Sequence, residues 1–455
     1  VHTNLLSVTA LAVDDQGSIW AGTSGGLVQW TPDGRARLWT RANGLPGLRV
    51  RQVQAGKDGL RVLADGTAVL RGGRFMKGDH PIPVRAAHGL PLPGEGKSSL
   101  STVSVGLPGP PVARAKVGSQ WVWAVPESGL FTLSRGKATP FEPQPPTRLL
   151  TSLAVSGQGH LLAGTAGQGV LRLTKGKWES LRLPAGSLVG ADATALIPNG
   201  DRLWVAPREG ASFTLNKQQS AAKGAPWRTA VTWNGQDLVR RADGRLVFID
   251  AQGREHPSTL VLPRVNANAV WVEGGTLFVA QPGGWSEFAP GEPPRHRFDL
   301  PELQGAPTTT IYANERMVAI GTQDRGLILV DRPTGEVRHL HEVHGLTDDW
   351  ITALAPDDRG LLIGTFVGGL LRWDGDRVTQ VGLKGGCITR LLVDGARTWV
   401  GSLAGIFEWN EGVLSAPTWA KQIEPDVTDI AVHDGRLWIA AGGALFEIRL
   451  GLTRS

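Results

Sequence analysis

The chain has one cysteine, Cys387, one tyrosine, Tyr312, and two methionines among its 455 residues. A single thiol excludes a disulfide framework and a cysteine-rich zinc site. It leaves the redox compartment open, because exported proteins also manage without thiols. No apolar run approaches the roughly 18 residues that would span a bilayer. What the chain does have is glycine and proline, 61 and 30 residues, a fifth of the total, against about 12% in ordinary usage. With 41% apolar residues this composition describes a globular chain with many turns rather than a disordered one. The length suggests about three domains, or fewer if the architecture is β-rich. The first residue is Val rather than Met, which is what removal of a signal peptide or a trimmed start would leave.

The formal net charge of +6 hides an asymmetry. Residues 1–224 carry 25 Lys and Arg against 13 Asp and Glu, whereas residues 225–455 carry 22 against 28. Such a split bears on partners and steering, not on fold. The basic half could attract an acidic glycan, a lipid headgroup or a nucleic acid, and a solvated basic surface is the plainer explanation. No nucleic-acid-binding motif accompanies it, and none is expected.

Self-similarity dominates the chain. VTALAVDDQGSIWAGTSGGLVQW from Val8 to Trp30 is repeated as ITALAPDDRGLLIGTFVGGLLRW from Ile351 to Trp373. Further clear copies begin at Leu150, Ile388 and Val427, and weaker ones near Val50, Ser101, Ala193, Thr229, Asn268 and Thr309. Each unit alternates apolar and small residues over short segments punctuated by Asp and Gly, which reads as strands. VTALAV forms strand A, SIWAGT strand B, LVQW strand C and RARLWT strand D. Four short antiparallel strands about every 40 residues make the blade of a β-propeller. The fold class is therefore all-β, a propeller of about eleven four-stranded blades.

The recurrent residues have structural explanations. Asp14, Asp357 and Asp434 open A–B turns that end in Gly. A large residue recurs in strand B as Trp20, Trp123, Trp204, Phe278, Trp399 and Trp438, with Leu162 and Leu362 in the same place. Wedge-shaped blades need such residues to fill the space between them. Strand A carries Thr9, Thr151, Thr194, Thr229, Thr309, Thr352, Thr389 and Thr428. So many uses of one position point to a hydroxyl that bonds a neighbouring strand or blade.

A Thr-bearing strand, D-x-x-G, an apolar-Trp pair, Gly-Thr and Gly-Gly-Leu together resemble the two-component regulator propeller repeat. The loops Asn43-Gly44-Leu45-Pro46, His88-Gly89-Leu90-Pro91 and His344-Gly345-Leu346 add to the resemblance. It is close in five units and partial in three. The resemblance implies the periplasmic ligand-sensing part of a bacterial hybrid sensor kinase, and hence a periplasmic or extracellular location. Only GLTRS follows Leu450 in the sequence given, as expected either of a piece trimmed of the β-sandwich module, membrane span and kinase of that architecture or of a free-standing exported relative.

Rings of four to eight blades are usual, so two rings are expected. The linker-like stretch 216–227 lies where the charge balance changes sign, which places the division between 1–224, with five blades, and 225–455, with six. The last unit ends after strand C, and the N-terminus is the natural donor of its missing strand.

Catalytic signatures are weak. Gly22 to Gly26 matches G-x-S-x-G, but Ser24 sits in a hairpin turn rather than on a strand-to-helix elbow. Gly96-Lys97-Ser98 lacks the first glycine of a phosphate loop and the helix after it. Tyr312, the only candidate for a sialidase-type nucleophile, lies within a strand A. His339 and His341 fall on one face of a strand D, with Glu342 and His344 close by, yet an outer strand is ordinarily polar. Two carboxylates of a lyase or glycosidase would come from Asp324, Asp348, Asp349 and Glu209. No catalytic residue, metal or cofactor is assigned.

The D–A and B–C loops share one face of a blade and repeat least, and binding residues favour loops on a rigid scaffold. The candidate ligand-binding residues there are Asp324 and Arg325, Asp348, Asp349 and Trp350, and Phe366. Strand A adds Arg390 and Asp429, which replace the small residue found at that position in other units. Opposite charges at equivalent places in adjacent units point to mutual pairing, with a channel-lining ligand role as the functional version. The expected function is an exported, non-catalytic scaffold for a glycan, peptide or protein ligand, with a polysaccharide-acting propeller enzyme as the alternative. Far-ultraviolet circular dichroism is expected to show strand and almost no helix; helix above about a quarter of the chain would contradict a propeller.

Overall fold

The alternating segments form eleven antiparallel sheets in the structure, a computed structural model. It describes residues 3–56, 59–78, 106–134, 137–184, 193–208, 212–214, 226–264 and 266–450. The sheets, taken as blades 1 to 11, run Val8–Trp39, Gln52–Lys77, Ala113–Pro140, Leu150–Ser180, Ala193–Thr214, Trp227–Pro257, Ala269–Arg297, Thr308–Leu340, Ile351–Gly382, Ile388–Ser415 and Val427–Arg449. In every blade consecutive strands pair A-B-C-D. Blades 5 and 11 show three strands among the described residues and the others four. The sequence placed the third unit near Ser101; its strand A is Ala113–Val117.

The chain divides into two compact units, residues 2–190 and 191–455. In the second unit, blades 5 to 11 follow one another with each strand A beside the next, and strand A of blade 11 returns to that of blade 5. That is a closed ring of seven. In the first unit strand A of blade 1 lies between those of blades 4 and 2, with blade 3 beyond blade 4. The division expected at residue 224 thus falls at 190, because blade 5 completes the ring that blade 11 ends. Thr428 Oγ1 donates to the Ala193 carbonyl at 3.0 Å, and the Leu196 N–H donates to Asp429 at 2.7 Å. Most of the 216–227 stretch lies outside the described residues, and Trp227 at its end is buried in blade 6. Among the described residues, the N-terminus supplies no strand to blade 11. Ser7 bridges Ala166, and the Gly167 N–H donates to the Leu6 carbonyl, both within the first unit.

The strand-A threonine sits at a bulge, and in several blades its hydroxyl reaches a carbonyl at the start of the next blade's strand A. Thr309 bonds the Ile351 carbonyl and Thr389 the Val427 carbonyl, each at 2.5 Å. Thr9 bonds that of Val50. Blade 6 departs from the sequence reading. The bulge residue there is Arg228, and Thr229 takes the following place. In blade 7 Asn268 does the work, its amide donating to the Thr308 carbonyl at 2.9 Å.

The Gly-Thr pair at the end of strand B has two separate causes. A Cβ on Gly364 would lie 2.7 Å from Ile388 of the next blade, so the blades pack together only without a side chain. The threonine closes the B–C loop on itself: Thr23, Thr322 and Thr365 donate to the carbonyls of Gly26, Gly326 and Gly369 at 2.8–2.9 Å. Between blades lie the large strand-B side chains, with Trp20, Trp123, Trp204, Phe278 and Trp399 all nearly inaccessible. Asp14 accepts the Trp20 indole N–H at 2.7 Å as well as the N–H groups of Gln16 and Ser18, so turn and core residue hold each other.

Trp204 packs against Trp227 with centroids 5.1 Å apart, and a Cβ on Gly253 would come within 2.2 Å of its ring. Trp204→Ala is expected to cost roughly 3–5 kcal/mol, as large-to-small core changes do, measured by denaturant unfolding. A loss below about 1 kcal/mol would show that the indole is not a core element.

Candidate functional site

On the loop face of the seven-bladed unit, blade 9 gathers three of the expected residues. The rings of Trp350, at the end of the D–A loop, and Phe366, in the B–C loop, stack with centroids 4.1 Å apart and planes 20° from parallel. The Phe366 N–H donates to the Trp350 carbonyl at 3.0 Å, which fixes the two loops side by side. Asp348 braces them. One carboxylate oxygen accepts the Trp350 N–H at 3.0 Å and the other the Val367 N–H at 2.6 Å. Thr347 adds a bond to the Gly368 carbonyl at 3.0 Å.

The surface this creates is apolar and open. Phe366 is 39% exposed and Val367 55%. Leu403, in the B–C loop of blade 10 at the place equivalent to Phe366, is 46% exposed. Val367 and Leu403 were not singled out in the sequence; the turn geometry of the B–C loops turns them outward.

Asp349 and Arg325 belong to the adjoining loops. Asp349 accepts the Glu342 N–H at 3.1 Å, and its carbonyl accepts the Gly326 N–H at 2.9 Å, tying blade 9 to the B–C loop of blade 8. Arg325 donates to the Glu302 carbonyl at 3.3 Å, while Asp324 is exposed. Cys387 also lies near; burial, and then the Asp348 carboxylate, push its thiol pKa up. Glu209 lies outside the described residues, as do His80, His88 and Gly96 to Ser98.

The histidine cluster has local roles. His344 Nδ1 accepts the His341 N–H at 3.4 Å, the part that Asn43 plays for Thr40 in blade 1. His339 Nε2 lies 2.5 Å from the Arg325 carbonyl. Among the described residues no three His, Cys, Asp or Glu side chains converge as metal ligands do. Tyr312 is buried against Trp271, and burial raises its pKa.

Arg390 and Asp429 do meet, with Nε 3.1 Å from Oδ1. Asp429 also accepts the N–H groups of Leu196 at 2.7 Å and Ile430 at 2.9 Å, so it touches blades 10, 11 and 5 at once. Burial pushes its carboxyl pKa up, against the opposing pull of Arg390 and the two N–H groups. The Arg390 side chain keeps 41% of its surface exposed.

Compared with known proteins, the chain matches no family model and no curated sequence relative. Solved structures do resemble it. One is PorZ of Porphyromonas gingivalis, an essential surface component of the type-IX secretion system, at 12% identity and a TM-score of 0.51 over 98% of this chain and 69% of that one. Another is the extracellular domain assigned to a hybrid two-component system of B. thetaiotaomicron, at 14% identity and a TM-score of 0.45 over 97% and 68%. Streptogramin B lyase aligns at 10% identity and a TM-score of 0.43 over 58% of this chain and 96% of that one. The likeness to PorZ shows the propeller fold. Extracellular domains of two-component systems stand among the structures that align with it. No helix among the described residues is long and apolar enough to cross a membrane.

Removing the Asp429 carboxylate strands the buried Leu196 N–H, so Asp429→Ala is expected to cost about 1–3 kcal/mol. In a double-mutant cycle with Arg390→Ala the effects should depart from additivity by at least ~0.5 kcal/mol; simple additivity would mean that the pair does not interact. The raised pKa has a definite sign. The neutral carboxyl is favoured in the fold, so this group's contribution is largest below the unfolded value near ~3.9 and declines as pH rises through the folded one. Asp429→Asn should remove that decline from the stability–pH profile.

Proposed function

We propose that the chain is an exported, non-catalytic binding module of the sensor type, periplasmic or extracellular, which takes a glycan, peptide or protein ligand on the loop face of its seven-bladed unit. The observation that carries this reading is the stacked Trp350–Phe366 pair, held from below by Asp348 and left open above. A rigid aromatic platform presents contact area at little entropic cost, and an exposed apolar patch with polar neighbours is the usual mark of a binding site. The flanking Asp324, Asp349 and Arg325 supply the polar rim. Arg390, anchored by Asp429 and still accessible, is the cation that would line the central channel.

The resemblance of the repeat to two-component regulator propellers supports an exported sensor. Both oxygens of Asp348 are engaged by backbone N–H groups, a positioning duty rather than that of a general acid.

A glycan and peptide array, followed by a product assay on every hit, tests the proposal. Binding without turnover is expected. Phe366→Ala and Leu403→Ala should each weaken the hit by about tenfold, or ~1.4 kcal/mol, with stability changed by no more than about 0.5 kcal/mol. Unchanged affinity in both variants would place the site elsewhere, and product formation would replace the binding module with a polysaccharide-acting enzyme.

A further inference from the structure

Blade 6 breaks the repeat twice, at facing positions. Arg228 occupies the bulge that carries threonine in blades 1, 4, 5, 8, 9, 10 and 11. Arg240, paired across the strands with Thr229, stands where blades 1, 4, 8, 9 and 10 have glycine. That glycine is ordinarily demanded by the first residue of the next strand A. A Cβ on Gly22 would lie 2.8 Å from Val50, and one on Gly321 2.8 Å from Ile351. Blade 7 begins instead with Ala267, whose N–H is held by the Gly244 carbonyl. The small residue there is what lets a long side chain occupy the position, so the two departures are matched by a third.

Among the described residues, the charges at this junction are not neutralised from within. Arg228 spans to blade 5, donating to the carbonyls of Pro207 at 3.0 Å and Arg208 at 2.9 Å and to Thr194 Oγ1 at 3.2 Å. These acceptors satisfy N–H groups but carry no negative charge. Arg240 Nε is buried without a hydrogen-bond partner. Among the described residues no carboxylate forms an ion pair with Arg208, Arg228 or Arg240. Burial, and then the neighbouring Arg208, lower the pKa of Arg228; burial, and then Arg228, lower that of Arg240. Arg241 and Arg332 of the same unit do have carboxylates, Glu255 and Glu287, whereas the Arg372 Nε is buried without a hydrogen-bond partner, as that of Arg240 is. Like charges that are partly desolvated and unpaired are unfavourable unless an anion completes them.

We infer that the junction of blades 5 and 6, on the loop face of the seven-bladed unit, binds an oxyanion group of an acidic ligand between Arg208, Arg228 and Arg240. Planar guanidinium forks match carboxylate, sulfate and phosphate oxygens pairwise, which lysine would not do. The inference goes beyond the aromatic platform on blade 9 and stands without it.

Thermal unfolding and titration calorimetry of the full chain test it, with sodium sulfate and sodium phosphate compared against sodium chloride at equal ionic strength. Sulfate or phosphate is expected to raise Tm saturably beyond chloride, as a ligand of the native state does. Arg228→Gln and Arg240→Gln should each weaken that binding by about tenfold or more, while Phe366→Ala leaves it unchanged. Should Arg228→Gln fail to fold, Arg240→Gln and the exposed Arg208→Gln carry the test. A dextran sulfate fragment and an oligogalacturonate then identify the source: tighter binding of the first assigns a sulfate, of the second a carboxylate, and either supports the site. An equal Tm shift in chloride, or a shift that survives unchanged in the arginine variants, overturns it. Loss of platform binding in Phe366→Ala with anion binding intact, or the converse in Arg240→Gln, separates the two readings.

Discussion

Four of the seven junctions in the second unit share one short contact, the bond from a strand-A side chain to the opening carbonyl of the next blade. Thr309, Thr389 and Thr428 make it with a hydroxyl and Asn268 with an amide. The bulge aims the donor sideways instead of toward either face of its own sheet. Outside blade 6 the facing strand-B position in this unit is glycine or alanine, because adjacent blades approach too closely for a larger group. Polar bonding near the axis and bulky packing farther out, at Trp204, Phe278 and Trp399, are thus two consequences of one wedge shape.

The blade was legible in the sequence almost to the residue where its chemistry is local. Asp-Gly turns, the Gly-Thr pair and the strand-B tryptophan each answer to neighbours within the same blade or the next, and each recurs. The division into rings was not legible, because the bond that closes a ring is identical to those that build it. Nothing in Thr428 announces that its acceptor is Ala193 and not a residue of blade 1. A polar stretch ending at Trp227 was the more visible boundary, yet its last residue is a core tryptophan of blade 6. The misplacement of Thr229 has a similar origin. A bulge shifts the register by one residue, so an arginine in a threonine's place is read as a late threonine.

The candidate site was half visible for the opposite reason. Trp350, Phe366 and Asp348 stood out by breaking the repeat, and the structure brings them together on blade 9. Arg390 and Asp429 broke it at equivalent places in adjacent blades, which is why their pairing could be anticipated from spacing alone. Leu403 and Val367 were passed over, because aliphatic residues are common throughout the repeat. Arg228 and Arg240 were hidden by the one-residue register error, although the swap of glycine for arginine and of a branched residue for Ala267 is present in the sequence once the bulge is placed.

The closing contacts of the seven-bladed unit join residues 235 and 233 positions apart, Thr428 to Ala193 and Asp429 to Leu196. A chain made from its N-terminus forward therefore carries an open flank on blade 5 through the synthesis of six further blades. Each earlier blade can dock on its predecessor as it emerges, but the final one has two flanks to satisfy and a loop of that length to close. Loop entropy grows only logarithmically with length, about 0.6 kcal/mol for each doubling, so the penalty is modest; the delay is what matters. Blade 11 acts as a latch, and a chain halted before Val427 would be left as an arc whose first blade lacks its neighbour.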